Sequence, residues 1–219
     1  MPYNNLYDSI TNSRQIHRLC HFTHVSNLNN ILEKGILSSS SIPHDQWNDS
    51  DRVDGYIDYV CTSVELPNSY CFRNMVQKTV TNIEDWIIFK INPYIIDETS
   101  LFCPVNAAKG CGKYVSSGVE AYESIFLNEG RTRNPNWLSS IPSNIQAEVL
   151  IKERIPVSEI EAIIFHENFF DNNIFQLVNQ ANIELRKSTD LFDSNKTLGW
   201  LNSGRIPFDF PVNLNDYRE

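Results

Sequence analysis

The chain has 219 residues, of which 41% are hydrophobic and 21% charged, and it carries a formal net charge of −9. This is enough apolar material for one substantial core, and no apolar run approaches the ~20 residues needed to cross a bilayer. The acidic balance excludes a general nucleic-acid-coating protein, whose affinity comes largely from neutralising phosphates.

Residues 1–16 lack the basic start and apolar middle of a signal peptide. The first apolar run, "LCHFTHVSNLNNILEKGIL" at 19–37, reads as a strand from 17 to 23 entering a helix over 26–34. Ser26 is placed to cap that helix, Leu28, Ile31 and Leu32 form its apolar face, and Gly35 ends it. Further strands are expected at 59–63, 85–91, 146–153, 161–167 and 183–188, and further helices at about 67–77, 118–128 and 168–180. Strands rich in Ile, Val and Phe, with helices at irregular intervals, indicate an α+β fold rather than strict βαβ winding. Two long polar connections, 38–58 and 129–145, are of a length that usually serves function or disorder. The segment 190–219 has aromatics enough to pack onto a core at about 17–188, so residues 1–219 are expected to form one domain. Cysteines at 20, 61, 71, 103 and 111 are odd in number and lack CxxC spacing. That spacing points to a reducing cytosol and away from a disulfide framework or structural zinc site.

Four places carry chemistry-bearing side chains. His21, Thr23, His24 and Asn27 sit where a strand hands over to a helix N-terminus. They either cap the helix or line a cleft for an anion, which free N–H groups at such a terminus favour. Arg52 lies among Asp49, Asp51 and Asp54 and reads equally as a surface ion pair. "CTS" at 61–63 puts hydroxyls within a strand, and Glu148 in "QAEVLIK" shares a strand face with Gln146 and Leu150. No one of these decides a function. Residues 105–154 carry a net +1, leaving −10 on the remainder, so a local contact with a polyanion remains open.

Their order along the chain is more informative. "HFTHVSNLNNILEKGIL", a loop with Arg52, "YVCTSVELPNSYCF", "LFCPVNAAKG" and "QAEVLIKERIPVSEIEAIIF" resemble the DarT family of DNA ADP-ribosyltransferases over roughly 17–165. The resemblance implies a split-β-sheet ADP-ribosyltransferase fold with an NAD cleft and peripheral helices. It implies transfer of ADP-ribose from NAD to a base in single-stranded DNA, as a bacterial toxin or anti-phage effector, without a metal. It also implies a separately encoded macrodomain antitoxin and no membrane partner.

Carried over by position, Arg52 becomes the NAD-clamping arginine and Glu148 the catalytic carboxylate. His21, Thr23, His24, Asn27 and Ser63 become NAD contacts, with Tyr70 or Phe72 as the aromatic against the nicotinamide. Cys61 departs from the serine expected at the head of the Ser-Thr-Ser strand. Arg131, Arg133, Asn134, Asn136 and Trp137 offer cations, amides and a stacking surface, a set suited to a splayed-out base. The same loop also reads as an ordinary solvated one with Trp137 folded onto the core. Competing readings are a transferase acting on RNA or protein, and a non-catalytic NAD-binding module.

Overall fold

The computed structural model describes residues 5–43, 53–127 and 133–213. The helices are α1 (Leu6–Arg14), α2 (Leu28–Lys34), α3 (Ser69–Thr79), α4 (Val119–Ser124), α5 (Asn172–Gln180) and α6 (Ser194–Asn202). The strands of the first half are β1 (Leu19–His24), β2 (Ile36–Leu37), β3 (Tyr59–Val64), β4 (Trp86–Ile91), β5 (Leu101–Cys103) and β6 (Ser116–Ser117). Those of the second half are β7 (Glu148–Lys152), β8 (Arg154–Ile155), β9 (Ile160–His166), β10 (Glu184–Ser188) and β11 (Phe210–Pro211).

Among the described residues one sheet runs β11-β10-β9-β4-β1-β3-β7-β5-β6, and β2 pairs with β8 beside it. All its pairs are antiparallel except β9 with β10, which α5 connects as a parallel crossover. The central strand β4, "WIIFKI", is buried at every position but Lys90. It sends Ile87, Phe89 and Ile91 into one core and Trp86 and Ile88 into another, which is why its sequence is apolar everywhere but at Lys90. Residues of α1, α2, α4 and α5 cover the first face, and residues of α3 and α6 cover the second. Helices on both faces of a mainly antiparallel sheet give the α+β class.

The split in the sheet is a fork, not a gap between two sheets. β1 and β3 pair only at Leu19–Val64 and Cys20–Ser63. Beyond that point β1 follows β4 as far as His24–Trp86, while β3 follows β7 as far as Tyr59–Lys152. The parted strands leave backbone groups that need other partners. His21 supplies one, its Nδ1 lying 2.9 Å from the Cys61 carbonyl across the opening.

The turn after β1 differs from the expected cap. A 3₁₀ turn, Val25–Asn27, precedes α2, and His24 caps it by accepting the Ser26 N–H at Nδ1, so Ser26 is not the N-cap. Gly35 ends α2 as expected. It takes φ +82°, and a Cβ there would lie 2.3 Å from the Ile155 carbonyl oxygen, so only glycine lets α2 turn into β2 against β8.

The last segment contributes α6 and the edge strand β11. Asp209 bonds both Arg18 Nη1 and Arg186 Nε, joining this segment to the base of the fork and to β10. No helix among the described residues is long and apolar enough to cross a membrane.

Candidate active site

The fork opens into a cavity of about 230 Å³ that passes between the two sheet faces. His21 and Thr23 of β1 and Asn27 contribute from the side of α2. Ser63, Asn68 and Glu148 contribute from the side of α3. Glu148, the first residue of β7, stands opposite Ser63 on β3 and Cys103 on β5. It is therefore held in mid-sheet and is only 7% exposed, where an isolated strand glutamate is usually solvated.

Burial of a carboxylate demands hydrogen-bond donors, and three are present. Oε2 accepts the Ala107 backbone N–H at 3.0 Å, and Oε1 accepts from Asn106 Nδ2 at 3.1 Å and Asn68 Nδ2 at 3.4 Å. The orientation of both asparagine amides follows from their other bonds. Asn106 Oδ1 accepts the Ala108 N–H and Asn68 Oδ1 accepts the Cys71 N–H, so each NH₂ must face the carboxylate. The acceptor-only carboxylate thus meets a matched set of donors in one fixed orientation. Replacing Asn68 or Asn106 by Leu is expected to reduce turnover about 10- to 100-fold through loss of one charged-group hydrogen bond. NAD affinity, measured by calorimetry, should change far less, which separates positioning of Glu148 from general damage to the site.

Two of the neighbouring thiols are held in the neutral form by burial. Burial pushes Cys20, at the base of the fork, up to about 12, and burial likewise raises Cys103 beside Glu148. His21 has a defined tautomer, because a carbonyl cannot donate and Nδ1 must carry the hydrogen toward Cys61. In the neutral ring Nε2 is then an acceptor. Thr23 is buried, and its Oγ1 accepts from Asn27 Nδ2 at 2.9 Å.

Several expected site residues fall elsewhere. His24 caps the 3₁₀ turn and meets Trp86 edge-on, away from the cavity wall. Phe72 is 1% exposed and packs among Phe22, Trp86 and Phe192, so it is a core residue. Tyr70 lies on α3 with the Arg73 guanidinium 5.8 Å from its ring centre, and it does not line the cavity. Arg52 and Arg131 lie outside the described residues.

The expected acceptor loop is committed internally. Arg133 donates to the carbonyls of Ile141 and Leu138, closing its own loop. Trp137 packs on the α3–α6 core and donates its indole N–H to Asn202 Oδ1 at 3.2 Å. Asn134 and Asn136 bond Asn202 as well. The alternative reading of Trp137 therefore holds, because α6 offers the loop a packing surface that sequence periodicity did not disclose. Trp137→Ala is expected to cost about 2 kcal/mol in urea unfolding, less than a fully buried tryptophan, while leaving affinity for single-stranded DNA unchanged.

Asn68 and Asn106 are the cavity residues bonded to Glu148 that sequence reasoning passed over. Asn106 sits inside the quoted block "FCPVNAA", whose asparagine was the available signal. Among the described residues, no group of three or more His, Cys, Asp or Glu side chains is arranged to hold a metal.

Residues 20–191 match a family model described as "ssDNA thymidine ADP-ribosyltransferase, DarT". Solved structures share the fold at low identity. Thermus sp. 2.9 DarT in complex with ADP-ribosylated ssDNA is 14% identical with a TM-score of 0.58, over 82% of this chain and 97% of that one. The same Thermus protein in complex with NAD+ is 15% identical with a TM-score of 0.56, over 82% and 98%. Thermosipho africanus DarTG in complex with ADP-ribose is 18% identical with a TM-score of 0.57 over 80% of this chain. The match spans 51% of that Thermosipho chain, about half its length. No curated protein matches the sequence.

Proposed function

The chain belongs to the DarT family of ssDNA thymidine ADP-ribosyltransferases, and from that membership we propose that it transfers ADP-ribose from NAD to a thymine in single-stranded DNA. The observation that carries this reading is the Glu148 carboxylate, fixed by three N–H donors on the wall of a cavity between forked strands.

The chemistry suits these groups. Breaking the bond between nicotinamide and ribose C1′ builds positive charge on the sugar, and nicotinamide departs neutral without needing an acid. An immobile carboxylate beside the ribose stabilises that charge without reorganising. It also takes the proton of thymine N3, so that the new N3–C1′ bond forms as the old one breaks. His21 Nε2 is assigned to accept an N–H of the nicotinamide carboxamide. Thr23, Asn27 and Ser63 supply polar groups along the cavity, and Arg52 is assigned to the pyrophosphate on the resemblance alone. An arginine suits that role because its planar fork makes paired hydrogen bonds. His24, Tyr70 and Phe72 drop out of the site. The activity is assigned to the cytoplasm on the cysteine pattern. The expected macrodomain antitoxin rests on the resemblance.

Incubation with NAD and synthetic oligonucleotides, read by mass spectrometry, tests the proposal. One ADP-ribose should appear on thymidine-containing single strands and none on strands lacking thymidine. Adducts on RNA or protein alone would move the acceptor. NAD binding without any adduct would leave a binding module.

A further inference from the structure

Immediately after Asn106 and Ala107, two of the three donors to Glu148, the chain folds into a compact cationic knuckle. Its turns are closed by backbone bonds from Lys109 N to Asn106 O at 2.9 Å, Gly112 N to Ala107 O at 3.0 Å and Val115 N to Gly112 O at 3.0 Å. Gly112, at φ +78°, is pressed so closely on the 54–56 segment that a Cβ would lie 2.4 Å from the Asp54 carbonyl oxygen. The knuckle is thereby anchored at both ends of its turn. Lys109, Lys113 and Tyr114 point outward from it, with Tyr114 41% exposed and Lys113 Nζ 5.6 Å from the Tyr114 ring centre. From residue 99 to 119 there are two lysines and no acid, in a protein whose net charge is −9.

Resting on the function proposed above, we propose that this knuckle is the surface that holds single-stranded DNA beside the cavity. Lys109 and Lys113 take backbone phosphates, and Tyr114 stacks a base next to the one being modified. Charge complementarity favours this surface, since an acidic protein must gather its phosphate contacts locally. Continuity with the site favours it too, because Asn106 and Ala108 line the cavity and the lysines follow within a few residues. An aromatic face flanked by cations is the set that binds single strands without reading sequence. The loop at 133–137 offers a similar composition, but its arginine, amides and indole are bound to carbonyls and to Asn202.

The test uses the full chain and a fluorescent thymidine-containing single strand, titrated at several salt concentrations. Variants are the double substitution Lys109→Ala with Lys113→Ala, then Tyr114→Ala and Tyr114→Phe. The double variant should flatten the slope of log affinity against log salt by about 1.4, two contacts on a single strand. Tyr114→Ala should weaken binding about 5- to 100-fold, and Tyr114→Phe should restore most of it. NAD affinity without DNA should be unchanged in every variant. A wild-type protein that transfers ADP-ribose to DNA, with variants of unchanged slope and affinity, overturns the knuckle alone. Wild-type protein that modifies no single-stranded DNA overturns the functional reading and this surface with it. Loss of NAD affinity in the lysine variant would also overturn it, by making the loop part of the donor site.

Discussion

Glu148→Gln is expected to lower transfer of ADP-ribose by about 10³-fold or more. The amide keeps the shape of the side chain but loses the negative charge and the basicity. General-base catalysis contributes about 10²–10⁴-fold, and preorganised electrostatic stabilisation contributes a similar factor where it is lost. The donor set adds a second consequence. Oε2 faces the Ala107 N–H and Oε1 faces two asparagine NH₂ groups, so a glutamine NH₂ must oppose a donor in either orientation. The variant should therefore lose about 1–3 kcal/mol of stability, and it should not fold as if unchanged. Initial rates by mass spectrometry and urea unfolding measure the two effects separately. Undiminished transfer would remove Glu148 from the chemistry, and undiminished stability would mean the three donors do not grip it.

Asp209→Asn is expected to be the most damaging change far from the site, at about 3–5 kcal/mol in urea unfolding. Arg18 immediately precedes β1, and its side chain is 7% exposed. Its Nε donates to the Glu65 carbonyl at 2.7 Å, and its Nη1 bonds Asp209 across 191 residues of chain. Removing the carboxylate leaves a buried guanidinium without its counter-charge, the case in which ion pairs matter most. A loss under 1 kcal/mol would instead mark an ordinary surface pair. Acid should erase the difference between variant and wild type. Burial by itself pushes Asp209 upward, but the Arg18 and Arg186 guanidinium groups outweigh it and hold the carboxyl below the ordinary aspartate range. A carboxyl depressed in the folded state stabilises above its unfolded value and loses that contribution as pH falls through its folded one. The two proteins should therefore begin to converge in stability below about pH 4, and the convergence is complete only below the depressed folded value of Asp209.

The main strands were legible because β4 and β9 are runs of Ile and Phe buried on both faces, and β7 carries the buried apolar run Val149, Leu150 and Ile151. Shorter elements were hidden. β5 is three residues long, and α1 and α6 are polar enough that their apolar faces become clear only against the core they cover. Glu148 was legible through its motif, since a glutamate at a strand start is otherwise unremarkable in composition. Phe72 and Trp137 show the opposite case. An aromatic beside a motif looks functional in one dimension, and only the packing of α3 against Trp86 and of the 133–141 loop against α6 settles otherwise. His21 was found for its polarity, but its bond to the Cys61 carbonyl follows from where two strands part, which no local pattern encodes.

The position of β7 in the sheet also sets an order of assembly. It is threaded between β3 and β5, both made earlier, so its slot must be bridged or left open until residues 148–152 arrive. Pairings between segments so distant in sequence form slowly, after much loop-closure entropy has been spent. A nascent chain shorter than residue 148 can possess the α2 side of the cavity and the asparagines at 68 and 106 while lacking the charge they are arranged to hold. On the role proposed for Glu148, the growing polypeptide lacks the catalytic carboxylate through its first two-thirds, and its last segment then fastens the fork from behind through Asp209.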